Sequence, residues 1–199
     1  MSGLARQWGG VNLGQGFPDD PGPPAIRAKA ADEVLNGYNQ YPPMAGLLEL
    51  REAVAAHYAE TQGLDLDPAT EVTVTSGATE ALAAAFFGLI QPGDEVGVFQ
   101  PVYDAYLPLI QRAGGTPRLV RLSPPHWRFD RAMLEAVFTE RTRFVVLNNP
   151  LNPGAIAVPD EDLALLAEFC VRHDVIAICD VVWEQVVFAG ARHRPLMAY

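Results

Sequence analysis

Residues 143–180, RFVVLNNPLNPGAIAVPDEDLALLAEFCVRHDVIAICD, contain the pattern that decides the fold. Two short apolar runs, at 143–148 and 175–179, flank a predicted helix at 160–173. Neither run alternates cleanly between apolar and polar residues, which is typical of strands that are covered by helices on both faces. Strand, helix and strand in this order predict a βαβ unit with parallel strands and a right-handed crossover.

The same alternation extends towards the N-terminus. Further strands are predicted at 71–75, 95–99 and 118–122. Further helices are predicted at 78–90, 103–113 and 130–138, with a kink in the second of them at Pro108. We therefore expect an α/β fold with three αβα layers and a mostly parallel sheet.

The residues before the first predicted strand suggest a separate organisation. Residues 1–45 carry little periodicity apart from a short helix at about 24–35, and they are predicted to form an irregular arm. An amphipathic helix follows and ends at Gly63; its apolar residues are Leu47, Leu50, Val54 and Tyr58. The predicted domains are thus an arm at 1–45 and a large domain at 46–199.

Composition restricts the class of protein. The 199 residues are 49% hydrophobic and 19% charged, which is typical of a folded globular chain. A net charge of −10 without Lys/Arg clusters argues against nucleic-acid binding. The longest apolar stretch, at 81–90, is too short to span a bilayer, and the opening MSGLARQWGG lacks the apolar core of a signal peptide. We expect a cytoplasmic protein with neither membrane nor nucleic-acid partners.

Cysteine and histidine positions predict no metal site. Cys170 and Cys179 lack metal or redox spacing and are expected to be buried thiols. Histidines also lack metal-ligand spacing and are expected on the surface or on helix faces; they are His57, His126, His173 and His193.

Polar residues follow four of the predicted strands, at the edge where parallel sheets bind ligands. The segments are Ser76–Thr79, Gln100–Tyr103, Asn149–Gly154 and Asp180. Ser76, Gly77, Ala78 and Thr79 open a helix, where free N–H groups and hydroxyls can bind an anion; a plain N-cap at Ser76 is the alternative.

The other strand ends offer different chemistry. Tyr103 can stack on a flat heteroaromatic ring, or it can be an ordinary core aromatic. Asp180 needs a positive or donor partner, and a protonated pyridine nitrogen would suit it; an N-cap or a structural hydrogen bond is the alternative. Asn149 and Asn152 lie in a loop with two X-Pro bonds, where an amide can donate to a phenolate or a carboxylate; a role in the turn alone is the alternative.

Six motifs in a fixed order resemble the class I and II aminotransferases of fold type I, which depend on pyridoxal 5'-phosphate. They are LGQGFPD, NQY, SGATEAL, PGDEV, NNPLNPG and the apolar strand that ends at Asp180. The opening motif is most similar to the kynurenine, glutamine and methionine aminotransferase group. The resemblance runs from about Val11 to Tyr199.

The resemblance implies a role for each matching residue. Ser76, Gly77, Ala78 and Thr79 would hold the cofactor phosphate, and Tyr103 would stack on the pyridine ring. Asn152 would hydrogen-bond the ring oxygen near the substrate carboxylate, and Asp180 would pair with the pyridine nitrogen. Gly16 would line the substrate pocket. Tyr41 would reach the phosphate of a neighbouring subunit, which implies a homodimer. Amino acids and 2-oxo acids would be the substrates.

Two departures from the family pattern stand out. Trp183 occupies the position of a tyrosine that usually donates to the ring oxygen, and an indole donates from a different place. The only lysine is Lys29, on the early helix, so the Schiff-base lysine is expected to lie beyond Tyr199. The small C-terminal domain is likewise expected to be absent from these residues. We therefore expect this chain to be inactive alone, with a carbon–sulfur β-lyase and a non-catalytic module as alternative functions.

Overall fold

The computed structural model describes residues 2–16, 20–188 and 190–199. Phe17, Pro18 and Asp19 of the LGQGFPD motif lie outside the described residues. The chain divides into two compact units, Met1–Pro42 and Pro43–Tyr199. Among the described residues, no helix is long and apolar enough to cross a membrane.

The first unit contains two helices, α1 at Ser2–Gln7 and α2 at Pro24–Asn36. The sequence predicts α2, with Pro24 at its first position, where the absent N–H costs no hydrogen bond. It does not predict α1. The ammonium of Lys29 on α2 lies 2.6 Å from a carboxylate oxygen of Glu33, and its side chain is 69% exposed. Lys29 therefore lies on a solvated face of α2.

The second unit is built on a parallel sheet whose described strands follow the order β2-β1-β3-β4. Every neighbouring pair in this order is parallel. The strands are β1 at Glu95–Gln100, β2 at Thr116–Arg121, β3 at Thr142–Asn148 and β4 at Ile176–Asp180. The predicted parallel α/β sheet is confirmed.

Helices precede and connect these strands, and residues from several of them pack against the two faces of the sheet. They are α3 at Leu48–Gln62, α4 at Gly77–Leu89, α5 at Tyr106–Arg112, α6 at Arg131–Glu135 and α7 at Asp160–His173, with a short 3-10 turn at Leu196–Ala198. Gly63 ends α3 in a left-handed conformation with φ of 70°.

Alternate residues of the central strands belong to two separate cores. Val145 and Leu147 of β3 pack with Leu163 and Leu166 of α7. Phe144 and Val146 of the same strand belong to a second core on the opposite face. This second core also contains the buried residues Phe86 of α4 and Ile110 of α5. Because successive side chains of a strand point to opposite faces, one strand contributes to both cores. This arrangement gives the expected three layers.

The predicted strand at 71–75 is wrong. Val72 is buried, but its neighbours Glu71, Thr73 and Val74 are exposed. The N–H of Val74 donates to the carbonyl of Ala45 at 2.9 Å, and no described strand pairs with this segment. An apolar run acquires strand structure only where a partner strand supplies the hydrogen-bond ladder.

Two further expectations need correction. Helix α5 begins at Tyr106 and not at residue 103, so Pro108 lies in its first turn, where it need not kink the helix. Cys179, which lies on the edge strand β4, is exposed and not buried. Cys170 on α7 is partly buried.

Candidate functional site

A cavity of about 200 Å³ lies where the carboxyl ends of β3 and β4 approach the beginning of α4. Its lining combines first-turn residues of α4, one aromatic from each of two loops, two amides and one carboxylate. The lining residues are Ala78, Thr79, Leu82, Tyr103, Asn148, Asn152, Asp180, Val182 and Trp183. Parallel strands place their carboxyl ends at one edge, which explains why residues so distant in sequence meet here.

The beginning of α4 has the geometry of an anion-binding turn. Gly77 has a φ of 79°, in the left-handed region that favours glycine, and a Cβ added there would meet no atom within 4 Å. Because Ala78 and Thr79 stand in the first turn, their N–H groups have no carbonyl within the helix to bond. Ser76 stands at the N-cap position without a side-chain cap hydrogen bond. The plain N-cap interpretation of Ser76 is therefore wrong.

One negative group stands beside this turn. The backbone N–H of Ser76 donates to the carboxylate of Glu80, one helical turn further along α4. That contact occupies the Ser76 N–H and places a charge near the turn, so the amides of Ala78 and Thr79 are the ones left for an anion. Both residues line the cavity, whereas Ser76 and Gly77 are exposed beside it.

The carboxylate of Asp180 is held at both of its oxygens. The hydroxyl of Tyr106 donates to Oδ2 at 2.5 Å, and the backbone N–H of Val182 donates to Oδ1 at 3.3 Å. The backbone carbonyl of Asp180 also accepts the side-chain amide of Asn148 at 3.1 Å and the N–H of Asn149 at 3.0 Å. Asp180 is half-buried and lines the cavity, so its oxygens are both oriented and accessible.

The asparagines after β3 fix the course of the loop that carries Asn152. The Oδ1 atom of Asn148 accepts the N–H of Asn152 at 2.6 Å. The Oδ1 atom of Asn149, which is 2% exposed, accepts the N–H of Val158 at 2.9 Å. Asn149 thus serves the loop, whereas Asn152 turns towards the cavity that it lines. Of the two amides predicted for this loop, only Asn152 is available to a ligand there.

Two aromatic side chains border the cavity. Tyr103 is 37% exposed, and its ring packs edge-on against Tyr106 with centroids 5.5 Å apart. Trp183 is half-buried and lines both this cavity and a neighbouring apolar cavity of about 340 Å³. Either ring can contact a flat ligand, and the indole N–H is a hydrogen-bond donor.

Gly16 and Tyr41 belong to the first unit, and both are exposed there, Tyr41 at 96%. Their roles stay predictions. The sequence interpretation did not single out Tyr106, Asn148, Leu82 or Val182. Tyr106 follows Tyr103 by three residues and Asn148 is the last residue of an apolar strand. Asn148 carried a signal in the sequence, because a polar side chain at the end of a buried strand needs a partner.

A second polar cluster lies outside the cavity and corrects the expectation for one histidine. The side chain of His193 is only 5% exposed, and its Nδ1 lies 4.0 Å from Glu184. Glu184 also lies 3.9 Å from His57 and accepts a hydrogen bond from the side-chain amide of Gln62. Burial lowers the pKa of His193, and the charge of Glu184 partly opposes this effect. Within the described residues, no group of three or more His, Cys, Asp or Glu side chains could hold a metal ion.

The residues present at the cavity fit pyridoxal 5'-phosphate. An oriented carboxylate suits a protonated ring nitrogen, and first-turn amides suit a phosphate. An aromatic face suits the ring, and a side-chain amide suits its phenolic oxygen. The carboxylate of Glu80, which accepts the N–H of Ser76, carries a charge that opposes a phosphate at this turn.

Comparisons with known proteins agree with this fit. A scan against models of protein families matches residues 9–198 to the family described as aminotransferase class I and II. The chain is 45% identical to the probable N-succinyldiaminopimelate aminotransferase DapC of Mycobacterium tuberculosis. The alignment covers 100% of this chain and 51% of that protein. It is 42% identical to the methionine aminotransferase of Escherichia coli, over 100% of this chain and 52% of that protein.

Solved structures show the same relationship. The structure of N-succinyldiaminopimelate aminotransferase from Mycobacterium tuberculosis aligns with a TM-score of 0.97 at 45% identity. The alignment covers 100% of this chain and 52% of that chain. The chain spans about half the length of the curated relatives it matches.

Proposed function

The chain belongs to the class I and II aminotransferase family, and from that membership we propose that it contributes the cofactor-binding residues of a pyridoxal-phosphate-dependent aminotransferase. The reaction would move an amino group between an L-amino acid and a 2-oxo acid. One observation carries the proposal: Thr79, Tyr103, Asn152 and Asp180, from four separate segments, line a single cavity. Their chemistry matches the phosphate, ring, ring oxygen and ring nitrogen of one cofactor.

Each side chain has a defined task in this proposal. The carboxylate of Asp180 accepts the ring N–H and keeps that nitrogen protonated. The first turn of α4 binds the phosphate through the amides of Ala78 and Thr79. Tyr103 covers one face of the ring, and Asn152 donates to the ring oxygen. Bound in this way, the cofactor supplies an electron sink for negative charge that develops at the substrate α-carbon.

Trp183 would alter the contact at the ring oxygen. The family usually has a tyrosine at this position, whose hydroxyl lies at the end of the ring. An indole N–H lies on the side of its ring system, so it donates from a different direction. We propose that Asn152 is the main donor to the ring oxygen and that Trp183 forms a wall of the site.

The chain has no lysine suited to bonding the cofactor covalently. Lys29 is its only lysine, and both the hydrogen bond to Glu33 and the negative charge of Glu33 raise its pKa. An ammonium held in this way is a poor nucleophile, because amines attack carbonyls in the neutral form. We therefore propose that these 199 residues bind the cofactor without catalysing turnover, and that the lysine is supplied by residues outside them.

Three further parts of the proposal rest on the family alone. A homodimer would place the exposed Tyr41 near the cofactor phosphate of the neighbouring subunit. Gly16 would line the substrate pocket. A cytoplasmic location would supply the amino acid and 2-oxo acid substrates.

Equilibrium dialysis with pyridoxamine 5'-phosphate tests the proposal, since this form lacks the aldehyde and cannot bond to exposed amines. Asp180→Ala should weaken binding about ten- to a hundredfold, because it removes a charged hydrogen bond. Asp65→Ala, which removes an exposed carboxylate elsewhere, is the matched control and should leave the affinity unchanged. Pyridoxamine without phosphate should bind more weakly than the phosphate ester. Equal affinity of the wild type and Asp180→Ala would contradict the proposed site.

An activity assay separates the alternatives. The chain with pyridoxal 5'-phosphate and L-amino acids should form no 2-oxo acid; turnover by the chain alone would show that the prediction of inactivity is wrong. With the remaining residues supplied, oxo-acid formation that needs an acceptor indicates an aminotransferase. Pyruvate and ammonia without any acceptor indicate a carbon–sulfur β-lyase. Cofactor binding that never leads to turnover indicates a non-catalytic module.

A further inference from the structure

Tyr106 is a buried residue that contacts Asp180, a carboxylate that lines the cavity. It is the first residue of α5 and only 2% exposed, packed among the core residues that include Leu82, Phe86 and Val98. Its hydroxyl reaches out of this apolar core and donates to Oδ2 of Asp180 at 2.5 Å. Tyr106 itself is not among the described residues that line the cavity. It can therefore act on a ligand only through the cavity residues that it contacts, Asp180 by its hydroxyl and Tyr103 by its ring.

The hydroxyl of Tyr106 is a permanent donor. Burial, followed by the hydrogen bond to Asp180 and the charge of Asp180, raises the pKa of Tyr106 far above its usual range. The phenol is the donor in this contact, because an ionised carboxylate can only accept. The ring has little freedom to turn, since it is enclosed by core side chains and lies edge-on against Tyr103. A fixed donor of this kind fixes the acceptor oxygen.

The two contacts of the Asp180 carboxylate together determine its plane. Tyr106 engages Oδ2, while the N–H of Val182 engages Oδ1 at 3.3 Å. A carboxylate has about four lone-pair sites, so two remain after these contacts. Because Asp180 lines the cavity, a remaining site is available to a donor bound there.

We propose that Tyr106 is a positioning residue for the cofactor: its hydroxyl holds the carboxylate of Asp180 in the orientation that accepts the N–H of a protonated pyridine ring. This inference rests on the proposed function, because it assumes a pyridine cofactor in the cavity. A merely structural role, in which the hydrogen bond only joins α5 to β4, is the alternative. The two roles predict different results when the hydroxyl is lost. Only the positioning role predicts weaker binding that depends on the ring nitrogen of the ligand.

The test compares two ligands on the 199-residue chain. One is pyridoxamine 5'-phosphate, and the other is its 1-deaza analogue, in which a C–H replaces the ring nitrogen. Tyr106→Phe keeps the buried ring and deletes only the hydroxyl. It should weaken the first ligand about five- to tenfold, since a freely turning carboxylate must be ordered on binding. It should leave the affinity for the deaza analogue unchanged. Tyr199→Phe, which deletes the hydroxyl of an exposed tyrosine that does not line the cavity, is the control and should change neither affinity.

A double-mutant cycle and a spectroscopic measurement complete the test. In an Asp180→Asn background, Tyr106→Phe should have little further effect on pyridoxamine 5'-phosphate, because the two residues act as a unit. Ring-labelled ligand should show, by its ¹⁵N chemical shift, a lower pKa of the pyridine nitrogen in Tyr106→Phe than in the wild type.

Each other outcome overturns the inference. Equal losses for both ligands assign Tyr106 a structural role only. No loss for either ligand, with normal binding by the wild type, rejects the positioning role and leaves the proposed function intact. If the wild type binds neither ligand, the proposed function fails, and the inference fails with it.

Discussion

Asn148 connects three parts of the candidate site through one side-chain amide. It accepts the N–H of Asn152 at 2.6 Å and donates to the backbone carbonyl of Asp180 at 3.1 Å. The residue is 7% exposed, so water replaces neither contact readily. The position of Asn152 and Asp180 relative to one another therefore depends on this amide.

Asn148→Ala should both destabilise the fold and weaken cofactor binding. Loss of two hydrogen bonds at a buried position should lower the free energy of unfolding by about 1–3 kcal/mol, as measured by urea denaturation. Affinity for pyridoxamine 5'-phosphate should fall as well, since Asn148 also lines the cavity. Asn36→Ala, at an exposed amide of α2, is the control. An unchanged unfolding curve for Asn148→Ala would contradict the bridging role.

Glu95 is a buried carboxylate with a purely structural set of partners. It is 2% exposed, accepts the hydroxyl of Thr139 at 2.7 Å and lies 2.6 Å from the guanidinium of Arg141. The hydrogen bond from Thr139, with the charges of Arg141 and Arg118, lowers the pKa of Glu95. A lowered carboxyl pKa means that the folded state binds this proton less readily than the unfolded chain does.

The acid stability of the chain should reflect Glu95. Its contribution is present above the unfolded pKa of about 4.5 and is lost as pH falls through the lower, folded value. Glu95→Gln should lower the unfolding free energy by about 1.5–3 kcal/mol at neutral pH and flatten the loss below pH ~5. Urea denaturation across this pH range measures both effects. Glu140→Gln, at an exposed carboxylate, is the control and should behave as the wild type. If Glu95→Gln keeps the wild-type dependence of stability on pH, Glu95 does not cause the loss of stability in acid.

At the scale of elements, β4 differs from the inner strands. Residues of β1 and β3 are almost all buried, whereas Ile176 of β4 is 51% exposed and Cys179 is exposed. In the described sheet, β4 pairs on one side only, with β3. A strand with an apolar, unpaired edge can pair with another chain and promote aggregation.

Ile176→Lys should reduce self-association of this chain. A charge on an open strand edge hinders edge-to-edge pairing, while the buried residues of β1 and β3 are unaffected. Light scattering at increasing protein concentration measures the effect. Val171→Lys adds the same charge to an exposed site on α7, so it controls for the change in net charge. If both variants reduce scattering equally, the edge of β4 is not the site of association.

At the scale of the whole molecule, a polar cluster joins segments far apart in sequence. Gln62 on α3 donates to Glu184, which follows β4, and Glu184 faces His193 and His57. The Nε2 atom of His193 is buried without a hydrogen-bond partner among the described residues. Burial therefore favours the neutral imidazole and lowers the pKa of His193, against the charge of Glu184.

Stability should fall as the pH drops below the unfolded pKa of histidine. Because the folded pKa is lowered, the contribution of His193 is complete above about 6.5 and is lost as pH falls through the folded value. His193→Gln should remove this part of the pH dependence, while His126→Gln, at an exposed position, should not. Urea denaturation at pH 7.5, 6.5 and 5.5 compares the variants. If His193→Gln keeps the wild-type dependence of unfolding free energy on pH, a group other than His193 causes that dependence.

Much of the fold follows from patterns local in sequence. The apolar runs at 95–99, 118–122, 143–148 and 175–179 correspond to β1–β4 within about two residues at each end. Gly63 and Pro24 correctly mark a helix end and a helix beginning. The prediction of a strand at 71–75 was wrong. This run is as apolar as a strand, but a strand also needs a partner to supply its hydrogen bonds, and that partner comes from residues distant in sequence.

The sequence by itself determined the family, the parallel α/β sheet and the set of strand-end residues offered to a cofactor. It did so because strand periodicity, turn residues and motif order are properties of neighbouring positions. Only the tertiary structure decided that Asn149 serves the loop while Asn152 faces the cavity, and that Tyr106 supports Asp180. Those facts depend on side-chain directions and on contacts between residues up to 74 positions apart, which no local pattern encodes.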